Sequence, residues 1–119
     1  MIRLATLDDF PSILALGRSM QSEGWFLSLD EAKGKDAFDW LMSDPARGLV
    51  LVHDTDGAID AFFMGAITEP WYSRELCASD ICLFVSPDRR GGVIAANFVA
   101  WFIEWADAQG VAQKMIVQS

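Results

Sequence analysis

Cys-Leu-Phe-Val-Ser-Pro-Asp-Arg-Arg-Gly-Gly-Val-Ile-Ala-Ala-Asn-Phe-Val-Ala-Trp-Phe-Ile-Glu-Trp, from Cys82 to Trp105, holds a short apolar strand, a tight turn and the opening of a long helix. Cys82 to Val85 are apolar and β-prone, Ser86-Pro87-Asp88 breaks the run, and from Val93 small and aromatic residues follow a helical repeat that Gly110 ends. Arg89, Arg90, Gly91 and Gly92 fill the turn between them. A helix start carries backbone N–H groups with no partner inside the helix, and glycines let a ligand approach them closely. With two guanidinium groups beside them, the turn is a seat for phosphate.

Outward from this stretch, the punctuation is that of a single alternating α/β domain over residues 1–119, without repeats, linkers or low-complexity blocks. Ile2 to Ala5 reads as a first strand. Thr6 with Asp9 makes a capping-box-like start, Pro11 sits where its missing N–H does little harm, and Phe10, Ile13, Leu14, Gly17 and Met20 fall at helical spacing. Ser28 with Glu31 repeats the capping pattern for a second helix, whose apolar side is Phe38, Leu41 and Met42 and whose end is Asp44-Pro45. Leu49 to His53 and Ala58 to Thr68 are β-prone runs separated by Asp54-Thr55-Asp56-Gly57, and the Asp-Gly pair predicts an antiparallel hairpin. An aromatic loop with Trp71 and Tyr72 leads to a strand from about Asp80 to Ser86, then to the turn and the long helix. Lys114 to Gln118 begins one more strand. The expected order is β-α-α-β-β-β-α-β, an α+β arrangement with a mixed, mostly antiparallel sheet flanked by helices.

The chain has 119 residues and 52% hydrophobic content, enough to bury roughly two thirds of its unfolded surface around one core. The first fifteen residues carry Asp8 and Asp9 and no continuous apolar run, so no secretory leader is expected, and Cys77 and Cys82 are expected as free thiols in a reducing cytoplasm. The apolar segment from Val93 to Trp105 is about two thirds of a membrane span and is interrupted by Asn97 and Glu104. A net charge of −8 repels a polyanion, which argues against nucleic acid and fits cationic partners or simple solubility. A single histidine, His53, and two cysteines five residues apart assemble no metal-ligand set, and His53 reads as a bystander at a strand end.

The order of elements, with this turn in this place, resembles the GNAT superfamily of acetyltransferases. In that family a strand ending Val-x-Pro leads to an Arg/Gln-x-x-Gly-x-Gly/Ala loop whose amides hold the pyrophosphate of acetyl-coenzyme A. Val85-Ser86-Pro87-Asp88-Arg89-Arg90-Gly91-Gly92 follows this pattern. Beginning the loop motif at Arg90 puts Val93 where its first glycine belongs and Ala95 at the final small position. Beginning it at Arg89 places Gly92 correctly and puts Ile94 at the end. Arg-Gly-Gly followed by small residues and an aromatic helix is also similar to GNAT-like proteins carried by bacteriophages. No P-loop motif and no Gly-x-Gly-x-x-Gly after a strand competes for the phosphate.

The resemblance implies transfer of an acetyl group from acetyl-coenzyme A to a primary amine by direct attack, which needs a base, an oxyanion site and a route for the leaving thiolate. It implies that Arg89, Arg90, Gly91, Gly92, Val93, Ile94 and Ala95 hold the pyrophosphate, and that the backbone at Phe84 and Val85 holds the thioester. Asp80 stands at or within one residue of the strand position where several members carry a catalytic Glu, with Glu69 and Glu75 as rivals through a water. The family usually supplies the thiolate's proton from a Tyr on a helix after the fifth strand, and Tyr72, in the loop before Asp80, is the one tyrosine here. The acceptor class is an amine, whether a small molecule such as a polyamine or a protein lysine.

The last strand predicts a free sheet edge and with it a homodimer. The long helix is expected to expose one narrow stripe, Asn97, Ala100, Glu104 and Asp107. Its stacked Phe98, Phe102, Trp101 and Trp105 either fill a core between the sheet and the first two helices or meet a partner. A second functional class therefore stands beside the enzyme: a weak or inactive GNAT-fold protein, of the kind carried by bacteriophages, that binds and modulates another protein.

Overall fold

The computed structural model describes residues 1–24 and 28–116. Their order is β1 (Ile2–Leu4), α1 (Phe10–Ser22), α2 (Glu31–Ser43), β2 (Gly48–Thr55), β3 (Ala58–Thr68), β4 (Cys77–Val85), α3 (Ile94–Ala108) and β5 (Lys114–Met115), as the sequence predicts. The strands form one sheet in the order β1-β2-β3-β4-β5, in which β4 and β5 are parallel and every other pair is antiparallel.

The β2–β3 hairpin sits at the centre because its residues are apolar on both faces. Leu49 and Leu51 pack on one side of the sheet, Val50 and Val52 on the other, and Phe63 and Phe62 divide in the same way. A strand covered on both faces reads as a continuous apolar run and not as an alternation. The turn is Asp56-Gly57, with φ of 52° and 91°, and it joins Thr55 directly to Ala58. Positive φ at both central residues gives a two-residue turn whose twist matches the strands, which is why Asp-Gly is found there.

One face of the sheet carries α1 and α2, with Ile13, Leu16, Met20, Phe38 and Leu41 buried against it. The other face carries α3, whose Phe98 and Phe102 meet the Phe63 ring at centroid distances of 6.2 and 5.2 Å. This revises the expectation of an aromatic core between the sheet and the first two helices: α3 follows β4 onto the opposite face, so the two layers never share a core. The exposed stripe of α3 is as expected, since Asn97, Ala100, Glu104 and Asp107 all face solvent. Trp101 and Trp105 are half-buried and line a groove with Leu41, Met42 and Leu49, where Trp105 Nε1 donates to the Pro45 carbonyl at 3.0 Å.

Local differences have local causes. Asp30 rather than Ser28 caps α2, because its extended backbone brings the carboxylate to the Lys33 N–H at 3.0 Å. A single 3-10 turn, Leu7–Asp9, precedes α1, and the Asp9 carboxylate accepts from the Thr6 N–H at 2.7 Å. β4 begins three residues earlier than expected, since Cys77, Ala78 and Ser79 pair with Thr68, Ile67 and Ala66 of β3. Of the expected last strand, Lys114 and Met115 pair with β4, while Val117 and Gln118 lie outside the described residues. Among the described residues no helix is long and apolar enough to cross a membrane.

Candidate functional site

β4 is the rail on which the site is built. β5 meets it only at Ala78 and Ser79 among the described residues. Beyond them the β3–β4 register shifts, from Gly65 opposite Asp80 to Met64 opposite Cys82, which leaves Ile81 as an extra residue. A bulge of this kind bends its strand and increases its twist. Beyond the bulge β4 continues to Val85, where the turn into α3 begins.

The turn at the end of that half is tightly folded. The Ser86 N–H donates to the Asp60 carbonyl at 2.8 Å, and the Arg89 N–H donates back to the Ser86 carbonyl at 2.9 Å, closing a 3-10 turn over Pro87–Arg89. Gly91 has φ of 92°, a backbone state that side-chain-bearing residues rarely adopt, so a glycine is required there. α3 then starts at Ile94 behind Val93, whose side chain cannot cap it. The first-turn N–H groups therefore receive no hydrogen bond from a capping side chain. Val85, Arg89, Arg90, Gly91, Gly92, Ile94 and Ala95 line a cavity of about 90 Å³ at this corner.

Both arginines are engaged by the protein, in different ways. Arg89 Nε lies 3.2 Å from Asp60 Oδ2. Arg90 is a strut: its Nε donates to the Val85 carbonyl at 2.8 Å, its Nη2 meets Glu23 at 3.0 Å, and its guanidinium lies 5.1 Å from the centre of the Phe84 ring. Phe84 belongs to the core under α1 and α2, while Val85 faces α3.

Asp80 is 9% exposed, beside the bulge and opposite Gly65. Burial, with the Asp80 charge adding to it, pushes the Cys82 thiol up to about 11. Cys77 and Cys82 are both free thiols. Tyr72 is elsewhere: it is 67% exposed, packs edge-on against Trp71 at 5.5 Å, and lines a cavity of about 220 Å³ with Glu75, Cys77, Lys114 and Met115 at the opposite end of β4. The nine residues of β4, at about 3.3 Å each, put Cys77 and Val85 roughly 26 Å apart. Tyr72 and the arginine turn do not meet. Glu69 lies with Trp71 and Arg74 around a larger but open depression of about 640 Å³ on the same loop. Its size reflects a loop standing away from the surface, whereas an anion held by main-chain amides needs only the shallow corner beside α3.

Sequence reading missed Asp60 and His53. Asp60 Oδ1 lies 2.7 Å from His53 Nδ1, and its Oδ2 accepts from Thr55 Oγ1 at 3.0 Å. His53 is thus tied to Asp60 across the hairpin. The Asp-Gly hairpin brings the two strands together, and the bulge at Asp60, which the sequence does not mark, sets its carboxylate beside His53. Among the described residues no group of His, Cys, Asp and Glu could hold a metal ion.

No protein-family model and no curated protein matches this chain. Solved structures do. A predicted acetyltransferase from Clostridium acetobutylicum, solved with acetyl-CoA, superposes with a TM-score of 0.83 at 15% identity, over 100% of this chain and 80% of that one. An integron cassette protein from the mobile metagenome of a salt marsh gives 0.85 at 19% identity, over 98% and 76%. The aminoglycoside 6'-N-acetyltransferase of Acinetobacter haemolyticus gives 0.81 at 16%, over 100% and 79%. At such identities the likeness is one of architecture alone, and the architecture of this chain is the GNAT fold.

Proposed function

We propose that the chain is an N-acetyltransferase that moves an acetyl group from acetyl-coenzyme A to a primary amine by direct attack. The observation that carries this reading is the corner where β4 ends: a glycine turn, a helix start without a side-chain cap, and an arginine, all around one cavity. The donor set fits a diphosphate, because main-chain N–H groups and a guanidinium are what such an anion requires. The thioester supplies an activated acyl carbon. Gly91, Gly92, Val93, Ile94 and Ala95 hold the anion through their backbone, Arg89 adds charge, and Arg90 keeps the wall of the site in place. The main chain at Phe84 and Val85 orients the acyl carbonyl and stabilises the negative charge that develops on its oxygen.

Asp80 takes the proton of the attacking amine, directly or through a water. Its position halfway along β4, away from the phosphate corner, supports that division of labour. The leaving thiolate is protonated by solvent, since Tyr72 stands at the far end of the strand. A net charge of −8 favours a cationic acceptor, and the neighbouring enzymes' substrates include aminoglycosides, which are polyamines.

One observation favours a second reading, that of a non-catalytic protein acting on a partner. Trp71 is 96% exposed on its loop, and a tryptophan so placed is a favoured interface anchor. A thermal-shift titration separates the two. Acetyl-coenzyme A raises the melting temperature with concentration if the corner binds it, and a thiol-release assay with a panel of amines then identifies turnover. No shift at millimolar acetyl-coenzyme A would leave the partner-binding reading in place.

A further inference from the structure

Asp60 touches the phosphate turn at two points. The β2–β3 register runs from His53 opposite Ala61 to Asp54 opposite Ile59, so Asp60 is the extra residue of a second bulge, two positions from the hairpin's start. Bulges free a residue from the ladder and re-aim its side chain. Here the freed backbone carbonyl accepts the Ser86 N–H at 2.8 Å, which carries the β3–β4 pairing one step past Val85 to the first residue of the turn. The freed carboxylate reaches Arg89, at the other end of the same turn. Both anchors come from one residue.

The carboxylate cannot swing, because β2 holds it. Its Oδ1 takes the His53 ring nitrogen and its Oδ2 takes the Thr55 hydroxyl, and the side chain is largely buried. A carboxylate only accepts, so His53 Nδ1 carries the proton of that bond. Arg89 Nε lies 3.2 Å from this fixed group, and the Arg89 side chain remains 45% exposed and able to meet another acceptor. A guanidinium paired with a fixed carboxylate has lost much of the rotamer freedom that an anion would otherwise have to quench.

We propose that Asp60 is a positioning residue of the phosphate corner: it pins the 3-10 turn at Ser86 and at Arg89 and presents the Arg89 guanidinium to a diphosphate held by the glycine turn. The proposal rests on the acyl-transfer reading, and its test keeps the two apart. Calorimetric titration with coenzyme A is carried out on the native chain, Arg89→Gln, Asp60→Asn and the double variant, with melting curves for each. Each single substitution weakens binding about tenfold, the worth of one charge-assisted contact. The double variant is no weaker than the weaker single one, because Asp60 acts through Arg89. A structural effect unrelated to Arg89 would instead multiply the two losses to about a hundredfold, and that result overturns the proposal. So does unchanged or tighter binding by Asp60→Asn beside a weakened Arg89→Gln, since the carboxylate would then be idle or in competition with the anion. Thr55→Val, which removes one hydrogen bond from the carboxylate and keeps the side chain's shape, decides the matter if Asp60→Asn does not fold: a twofold or larger loss of binding at native melting temperature supports the proposal, and native affinity overturns it. Failure of the native chain to bind millimolar coenzyme A sinks the acyl-transfer reading itself and the proposal with it.

Discussion

At its first end, Cys77 to Ser79, β4 lies between two strands, with β3 on one side and β5 on the other, and Ala78 is fully buried. At its second end, Val85 and Ser86, β3 reaches past the strand through Asp60, whose carbonyl accepts the Ser86 N–H and whose carboxylate meets Arg89, and Arg90 donates to the Val85 carbonyl. The first end spends its backbone on the ladder and its side chains on the core. The second is fastened from behind by ion pairs, so that its turn and the helix start after it face outward. The two ends of one strand are thus held in different ways, with the bulge at Ile81 between them.

The comparison breaks most severely if the shared frame is removed. Phe102 is fully buried against Phe63 beneath both halves of the sheet, and Phe102→Ala is expected to cost about 4 kcal/mol in chemical denaturation, enough to abolish both ends together. Next comes Asp80→Asn, at the midpoint. It is expected to lower kcat about a hundredfold, about 2.7 kcal/mol in barrier, with unchanged affinity for acetyl-coenzyme A. Native turnover in Asp80→Asn would remove Asp80 from the chemistry.

A smaller effect tests how dry the middle of β4 is. The Cys82 thiol holds its proton to about 11 in the folded chain, whereas an unfolded thiol ionises near about 8.5. The unfolded state therefore binds fewer protons through that window, and stability falls as pH rises across it. Melting curves from pH 8 to 10.5 should show this decline, and Cys82→Ala should flatten it. The smallest effect is at the first end: Trp71→Ala should alter stability by no more than about 0.5 kcal/mol, since the ring is almost wholly in solvent. If the same change raises the KM for an amine acceptor, the loop serves the acceptor; if it alters neither KM nor stability, the loop is idle in catalysis.

The order of strands and helices was legible because the apolar periodicities are long and the punctuation is local: Asp56-Gly57 sets a hairpin without help from the rest of the chain, and Asp44-Pro45 closes a helix. The arginine turn was legible for the same reason. Asp60 was hidden because its role depends on a bulge, and a one-residue slip between two strands leaves no mark in either strand's composition. Arg89 and Arg90 are neighbours of identical chemistry, and only the folded backbone sends one to Asp60 and the other to Glu23, near the end of α1. The side of the sheet taken by α3 was equally silent, because an apolar helix face fits either side.

Val93 sits where α3 begins, and its side chain offers the helix no hydrogen bond. Exchanging it for Asp or Ser would complete the first turn and add about 1 kcal/mol to the helix. The same oxygen would lie where an incoming anion needs bare amides. If the proposed diphosphate binds there, improvement of the fold and retention of the ligand compete at a single side chain, and the valine leaves the first turn to be completed from outside the chain.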